Sequence, residues 1–188
     1  MKKGLIVSIQ NWTQDTTNEL ASMAIKGGAI AIRTDKPLLS AIDIIGLKKD
    51  FTKEFYITPT IEDVKNVSEW ADYIAIDSRI GNKEIEILYK YCRELNKKIV
   101  ADIEDLKDVE NIIKYNPDYI ATTFSKGNIE LIKEIKNIAD IPVIAEGGYD
   151  SKEKIKQAIK NGAHAICIGE AISDIFKLTK KFIGYFNE

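Results

Sequence analysis

The chain has 188 residues, 45% of them apolar, with 27 basic and 29 acidic side chains and a formal net charge of −2. That length suits a single domain spanning residues 1–188, able to bury roughly 70% of its unfolded surface. Charges are spread without a basic face, which argues against nucleic acid and anionic membrane as partners.

Strand and helix signals alternate from one end to the other. Leu5–Gln10 is strand-like, and Asp15–Lys26 is a helix pattern closed by Gly27–Gly28. Ala29–Arg33 predicts the second strand. Thr34–Ala41, with Pro37, is then too short for a full helix before a third strand over Ile42–Leu47. A polar loop runs to about Glu54, Phe55–Thr58 is extended, and Thr60 with Asp63 forms a capping-box variant that opens a helix to about Trp70. Tyr73–Asp77 predicts strand four, and Asn82–Asn96 a helix with Ile85, Leu88, Tyr89 and Cys92 on one stripe. Ile99–Asp102, Tyr119–Thr123, Val143–Ala145 and Ala165–Ile168 predict the remaining strands. Helices are expected over Leu106–Tyr115, Asn128–Ile138, Ser151–Asn161 and a closing segment to about Tyr185.

Eight such alternations favour a compact (β/α)8 TIM barrel with its second helix reduced or missing. An open Rossmann-like sheet is the competing architecture, but no Gly-x-Gly-x-x-Gly follows the first strand. A barrel lacking one outer helix exposes apolar strand surface, which a partner subunit, as in a homodimer, would cover. Apolar runs are too short to span a bilayer, and Met1–Lys2–Lys3–Gly4 leads into a strand, not a secretory leader. Cys92 and Cys167 are isolated thiols without metal-ligand spacing and read as reduced packing residues. The expected location is cytoplasmic, and no metal is expected.

In such a barrel the polar residues at the C-terminal strand ends converge on one pocket. In order they are Gln10, Arg33, Lys48 or Lys49, Asp77, Asp102, Thr122 with Thr123, Glu146 and the Gly169 turn. An amide, a guanidinium, an amine, three carboxylates and a hydroxyl pair suit a polyhydroxylated anion and the movement of a proton. Gly147–Gly148 and Gly169 end strands seven and eight, where phosphate sits in many barrels of this type. Paired glycines leave amide hydrogens uncovered for an anion. Trp12 and Asn11 follow Gln10 at the same rim, whereas His164 precedes strand eight, away from the mouth.

The order of short motifs resembles the N-acetylmannosamine-6-phosphate 2-epimerase family. They are Lys3–Gly4–Leu5–Ile6–Val7–Ser8–x–Gln10, Gly27–Gly28–Ala29–x–Ala31–Ile32–Arg33, Ile44–Ile45–Gly46–Leu47 with lysine, and Tyr56–Ile57–Thr58–Pro59–Thr60. Ile74–Ala75–Ile76–Asp77, Ala101–Asp102–Ile103, Ala121–Thr122–Thr123 and Ile144–Ala145–Glu146–Gly147 continue the series. The resemblance implies a (β/α)8 barrel that interconverts N-acetylmannosamine 6-phosphate and N-acetylglucosamine 6-phosphate in amino-sugar and sialic acid catabolism, without a redox cofactor. It makes the lysine after Leu47 the base, Glu146 the partner acid, and Gln10, Arg33 and Asp77 the residues that position the sugar. Counting from Gly46 points to Lys49; counting back from Asp50–Phe51 points to Lys48. A desolvated amine has a lowered pKa and can take the C2 proton, and a carboxylic acid opposite it can return one. Gln10 or Arg33 would stabilise the enolate oxygen.

The chain departs from the family where the phosphate would sit. Gly169–Glu170–Ala171–Ile172–Ser173–Asp174 replaces a Gly-Gly turn and a basic residue with two carboxylates. A like charge at ~4 Å costs on the order of 4 kcal/mol in a partly shielded site. The same acids also suit the start of the last helix. The loop after Thr123 and the connections after Gln10 and Arg33 are short. Two readings follow: an epimerase in which Lys126 or Lys152 replaces the lost basic residue, or a divergent, inactive barrel that binds another sugar-like ligand or a protein partner.

Overall fold

The computed structural model describes residues 1–38, 43–46 and 59–185. Lys48, Lys49 and the extended run at 55–58 therefore lie outside the described residues. Eight strands close into a barrel in which chain order is spatial order. They are β1 (Gly4–Ile9), β2 (Ala31–Thr34), β3 (Ile44–Gly46), β4 (Tyr73–Asp77), β5 (Lys98–Asp102), β6 (Tyr119–Ala121), β7 (Val143–Ala145) and β8 (Ala165–Ile168). Every pairing is parallel, and closure sets Gly4 opposite Ala165 and Val7 opposite Ile168. This is the (β/α)8 TIM barrel, and the open sheet is excluded because β8 hydrogen-bonds to β1.

The helices are α1 (Gln14–Lys26), α2 (Ile61–Ser68), α3 (Asn82–Glu94), α4 (Leu106–Ile112), α5 (Ile129–Ile138), α6 (Lys152–Lys160), α7 (Glu170–Ser173) and α8 (Ile175–Gly184). The described residues between β2 and β3 hold no helix. A full crossover helix needs a dozen or more residues, and the connection over 35–43 is shorter.

Side-chain caps set most helix starts. Thr60 and Asp63 form the expected capping box, with Asp63 N donating to Thr60 Oγ1 at 3.2 Å and Thr60 N to Asp63 Oδ2 at 2.8 Å. Asp105 and Asp108 form a second one at α4. The largest departure is at the chain end, where the single closing helix expected from sequence is broken at Asp174. That residue takes φ −89° and ψ 85°, and its carboxylate accepts from Lys177 N at 2.9 Å. An aspartate that bonds the backbone ahead of it starts a helix and cannot continue the previous one.

Alternation along the strands divides the core in two. Ile6, Ala31, Ile45, Val100 and Ile144 fill the barrel interior, while Ile74, Ile76, Ile99 and Ala101 face the outer helices. Tyr73 and Tyr119 meet edge to face at 5.8 Å in the interior, and His164 packs 5.8 Å from Tyr119. His164 is thus at the floor, remote from the strand ends that carry the polar set.

Candidate active site

The parity that buries Ala31, Val100, Ala121 and Ile144 in the barrel turns Arg33, Asp102, Thr123 and Glu146, each two residues later, into the same interior at its C-terminal end. There they form one network. Arg33 Nη2 lies 2.5 Å from Asp102 Oδ2, and Arg33 Nη1 lies 2.5 Å from Glu146 Oε2. Thr123 Oγ1 donates to Asp102 Oδ1 at 2.8 Å and sits 3.4 Å from Glu146 Oε2. Thr122 faces the other way and secures the backbone: its Oγ1 donates to Glu146 O and accepts from Glu146 N, both at 3.0 Å.

Arg33 and Asp102 are each 1% exposed, but Glu146 keeps 12% of its side chain open. One guanidinium therefore serves two carboxylates inside the protein. Burial opposes the charged form of Arg33, yet the attraction of Asp102 and Glu146 prevails and holds it protonated. Burial pushes both carboxyls above their ordinary range; Arg33 pulls them down, and their mutual repulsion raises them again. A triad with one positive and two negative members has one uncompensated charge, so one carboxyl retains a proton above the usual carboxylate pKa. Glu146 is the member that meets the cavity.

That cavity has a volume of about 890 Å³. Gln10, Thr123, Glu146, Gly147, Gly148 and Gly169 all line it, as does Cys167. The Cys167 thiol, 2% exposed, lies against Glu146, and burial together with that carboxylate pushes its pKa well up. Gly147 has φ +92°, and a Cβ there would meet Thr123 O at 2.8 Å, so the turn and its close approach to the loop after β6 both require glycine.

Other candidates sit elsewhere. Arg33 and Asp102 lie under the wall, behind Glu146. Asp77 faces its own near neighbour: Oδ1 accepts from Arg79 Nε and Oδ2 from Arg79 Nη2, both at 2.9 Å. Arg79 is what reaches the cavity, with its guanidinium 3.5 Å from the centre of the Phe124 ring and an ion pair to Glu104 at 3.3 Å. Sequence reasoning passed over Arg79; the carboxylate two residues earlier on a strand end was the available signal. Lys126 lines the cavity and Lys152, at the start of α6, does not. Lys177 and Lys181 of α8 join the wall, and nothing in the sequence predicted that α8 folds back over the mouth.

The two acids after the Gly169 turn are both engaged. Asp174 caps α8, and Glu170 pairs with Lys177 at 2.5 Å. Ser173 Oγ donates to Ser8 O and Gly169 O, both at 3.1 Å, and so pins α7 to β1. Among the described residues, no group of His, Cys, Asp or Glu is arranged to hold a metal, and no helix is long and apolar enough to cross a membrane.

Residues 17–188 match the NanE family, described as "Putative N-acetylmannosamine-6-phosphate epimerase". A Malacoplasma penetrans (strain HF-2) protein described as "Putative N-acetylmannosamine-6-phosphate 2-epimerase" is 31% identical over 217 residues, covering 97% of this chain and 94% of that protein. A protein of the same description from Caldanaerobacter subterraneus subsp. tengcongensis is 30% identical, covering 100% of this chain and 93% of its own. Among solved structures, the N-acetylmannosamine-6-phosphate 2-epimerase from Clostridium perfringens superposes with a TM-score of 0.80 at 27% identity, over 96% of this chain and 92% of that one. Deoxyribose phosphate aldolase from Aeropyrum pernix, with a TM-score of 0.71 at 14% identity, shares the fold alone.

Proposed function

The chain belongs to the N-acetylmannosamine-6-phosphate epimerase family, and we propose that it interconverts N-acetylmannosamine 6-phosphate and N-acetylglucosamine 6-phosphate by moving a proton at C2. The observation that carries this reading is the buried Arg33 shared by Asp102 and Glu146, with Glu146 alone open to the cavity.

The C2 hydrogen of the open-chain sugar is acidic because its electron pair can move into the C1–C2 bond and place the charge on the aldehyde oxygen. A neutral lysine amine, Lys48 or Lys49, takes that proton. Gln10 on the cavity wall donates to the enolate oxygen, since the Arg33 Nη atoms are taken up by carboxylates. Protonated Glu146 then delivers its proton to the opposite face of C2, and the pair returns from C1–C2 to the new C–H bond. The upward shift favours the protonated form of Glu146 for that step, and Arg33 stabilises the carboxylate it leaves behind. Solvent resets both groups. Asp77 acts through Arg79, which it holds against the cavity.

The reaction needs no metal or redox cofactor, so chelation leaves turnover unchanged. It would serve amino-sugar and sialic acid catabolism in the cytoplasm. A homodimer goes with this reading, because α8 carries Ile175, Phe176, Phe182 and Ile183 exposed on one face; sedimentation at micromolar concentration should give twice the monomer mass.

The direct test is incubation with either sugar phosphate in D2O. Deuterium entering C2 together with appearance of the epimer is the expected result. Folded protein that gives neither at millimolar substrate is the divergent barrel instead. Lys48→Met and Lys49→Met, made separately, identify the base: one abolishes C2 exchange and the other spares it.

A further inference from the structure

Each carboxylate on the cavity wall has its own cation. Glu146 has Arg33, Glu104 has Arg79, Asp150 has Lys154 at 2.8 Å, and Glu170 has Lys177. Two cations on the same wall, Lys126 and Lys181, have no carboxylate within ion-pair distance among the described residues.

Their placement comes from backbone, not from chance contacts of long side chains. Lys126 is held at φ +54°, an unusual left-handed position for a lysine, and is followed by Gly127 at φ +79°. A Cβ on Gly127 would lie 3.0 Å from Gly147 O, so this loop is pressed against the glycine turn at the end of β7. Lys181 follows Lys177 by one helical turn, so α8 presents both to the cavity with Leu178. The exposed apolar side chains of α8, Ile175, Phe176, Phe182 and Ile183, are not part of the cavity wall. Lys181 is also close enough to help Lys154 hold Asp150 below the ordinary carboxylate range, which puts its ammonium on the Gly148–Asp150 side of the mouth.

We propose that Lys126 and Lys181 bind the phosphate of the substrate between the loop after β6 and α8, next to the Gly147–Gly148 turn. Two unpaired ammonium groups match the charge of a phosphate monoester at neutral pH. An uncharged sugar would leave both unanswered, so the pair selects phosphorylated over free amino sugar. This assignment rests on the epimerase reading for the identity of the substrate, but not for the anion.

Inorganic phosphate is the probe, because its binding needs no turnover. Thermal-shift titration of the intact protein should show saturable stabilisation. Lys126→Gln and Lys181→Gln should each weaken phosphate about fivefold, the value for an exposed ion pair near 1 kcal/mol, and together about twentyfold. Lys126→Arg and Lys181→Arg should restore most of the affinity, and Lys152→Gln should leave it unchanged. Both lysines are exposed, so the variants should unfold at the wild-type temperature without phosphate. In turnover the Gln variants should raise KM for the sugar phosphate at constant kcat. The proposal is overturned if wild type does not bind phosphate, if the two Gln variants bind it as tightly as wild type, or if Lys152→Gln weakens it equally. Loss of phosphate binding in the variants of a protein that never epimerises would retain the anion site and remove the proposed reaction.

Discussion

Arg33 and the pair Lys126 and Lys181 are cations around one cavity, and they are handled in opposite ways. Arg33 is 1% exposed and pairs each of its Nη atoms with a carboxylate; the lysines are exposed and, among the described residues, have no carboxylate within ion-pair distance. Desolvation explains the contrast. A charge removed from water must be answered by the protein itself, whereas a rim charge is solvated until a ligand arrives. The proposed reaction thus draws its proton from the interior, and the proposed anion site lies at the rim.

The sharpest way to break that comparison is Arg33→Met, which leaves two buried carboxylates facing each other. It should cost about 3–5 kcal/mol in urea unfolding at neutral pH and abolish turnover; a loss below 1 kcal/mol would mean the triad is not the paired unit described here. Glu146→Gln comes next. It keeps the shape and removes the acid, so kcat should fall about 10²–10⁴-fold with the fold intact.

The same variant tests the sign of the pKa shift. Because the folded state holds the Glu146 carboxyl above its ordinary value of about 4.3, it binds a proton that the unfolded chain has lost. Through that window stability falls as pH rises. Glu146→Gln should flatten this slope on the alkaline side of about pH 4.3; an unchanged slope would assign the retained proton to Asp102 alone. Gly147→Ala should have a smaller effect, about 1–2 kcal/mol, since its left-handed φ and the Thr123 carbonyl both oppose a Cβ. Smallest of all is Asp174→Ala, which removes the cap of α8. A loss of about 1 kcal/mol is expected, seen as faster amide exchange confined to residues 175–184. If phosphate slows that exchange in wild type, α8 and the anion site are linked.

Much of the site was legible before any coordinates because strand parity is a local rule. Glu146 after Ile144, Asp102 after Val100 and Arg33 after Ala31 occupy interior positions wherever the strands pair in parallel. Caps were equally local: Thr60 and Asp63 are three residues apart, and their bond needs nothing else. Asp77 shows where that logic stops. Parity turns it inward, yet Arg79, two residues on, takes both its oxygens.

The amino-acid sequence by itself determined the eight-fold alternation, the shortened second connection, and which strand ends are polar. These follow from backbone geometry and from side chains close along the chain. Only the tertiary structure decided that Arg33 is shared by carboxylates 69 and 113 residues away, and that α8 turns its lysines to the mouth. Both depend on closure of β8 against β1, which sets distant strand ends and the last helix around one opening; no spacing along the chain encodes that distance.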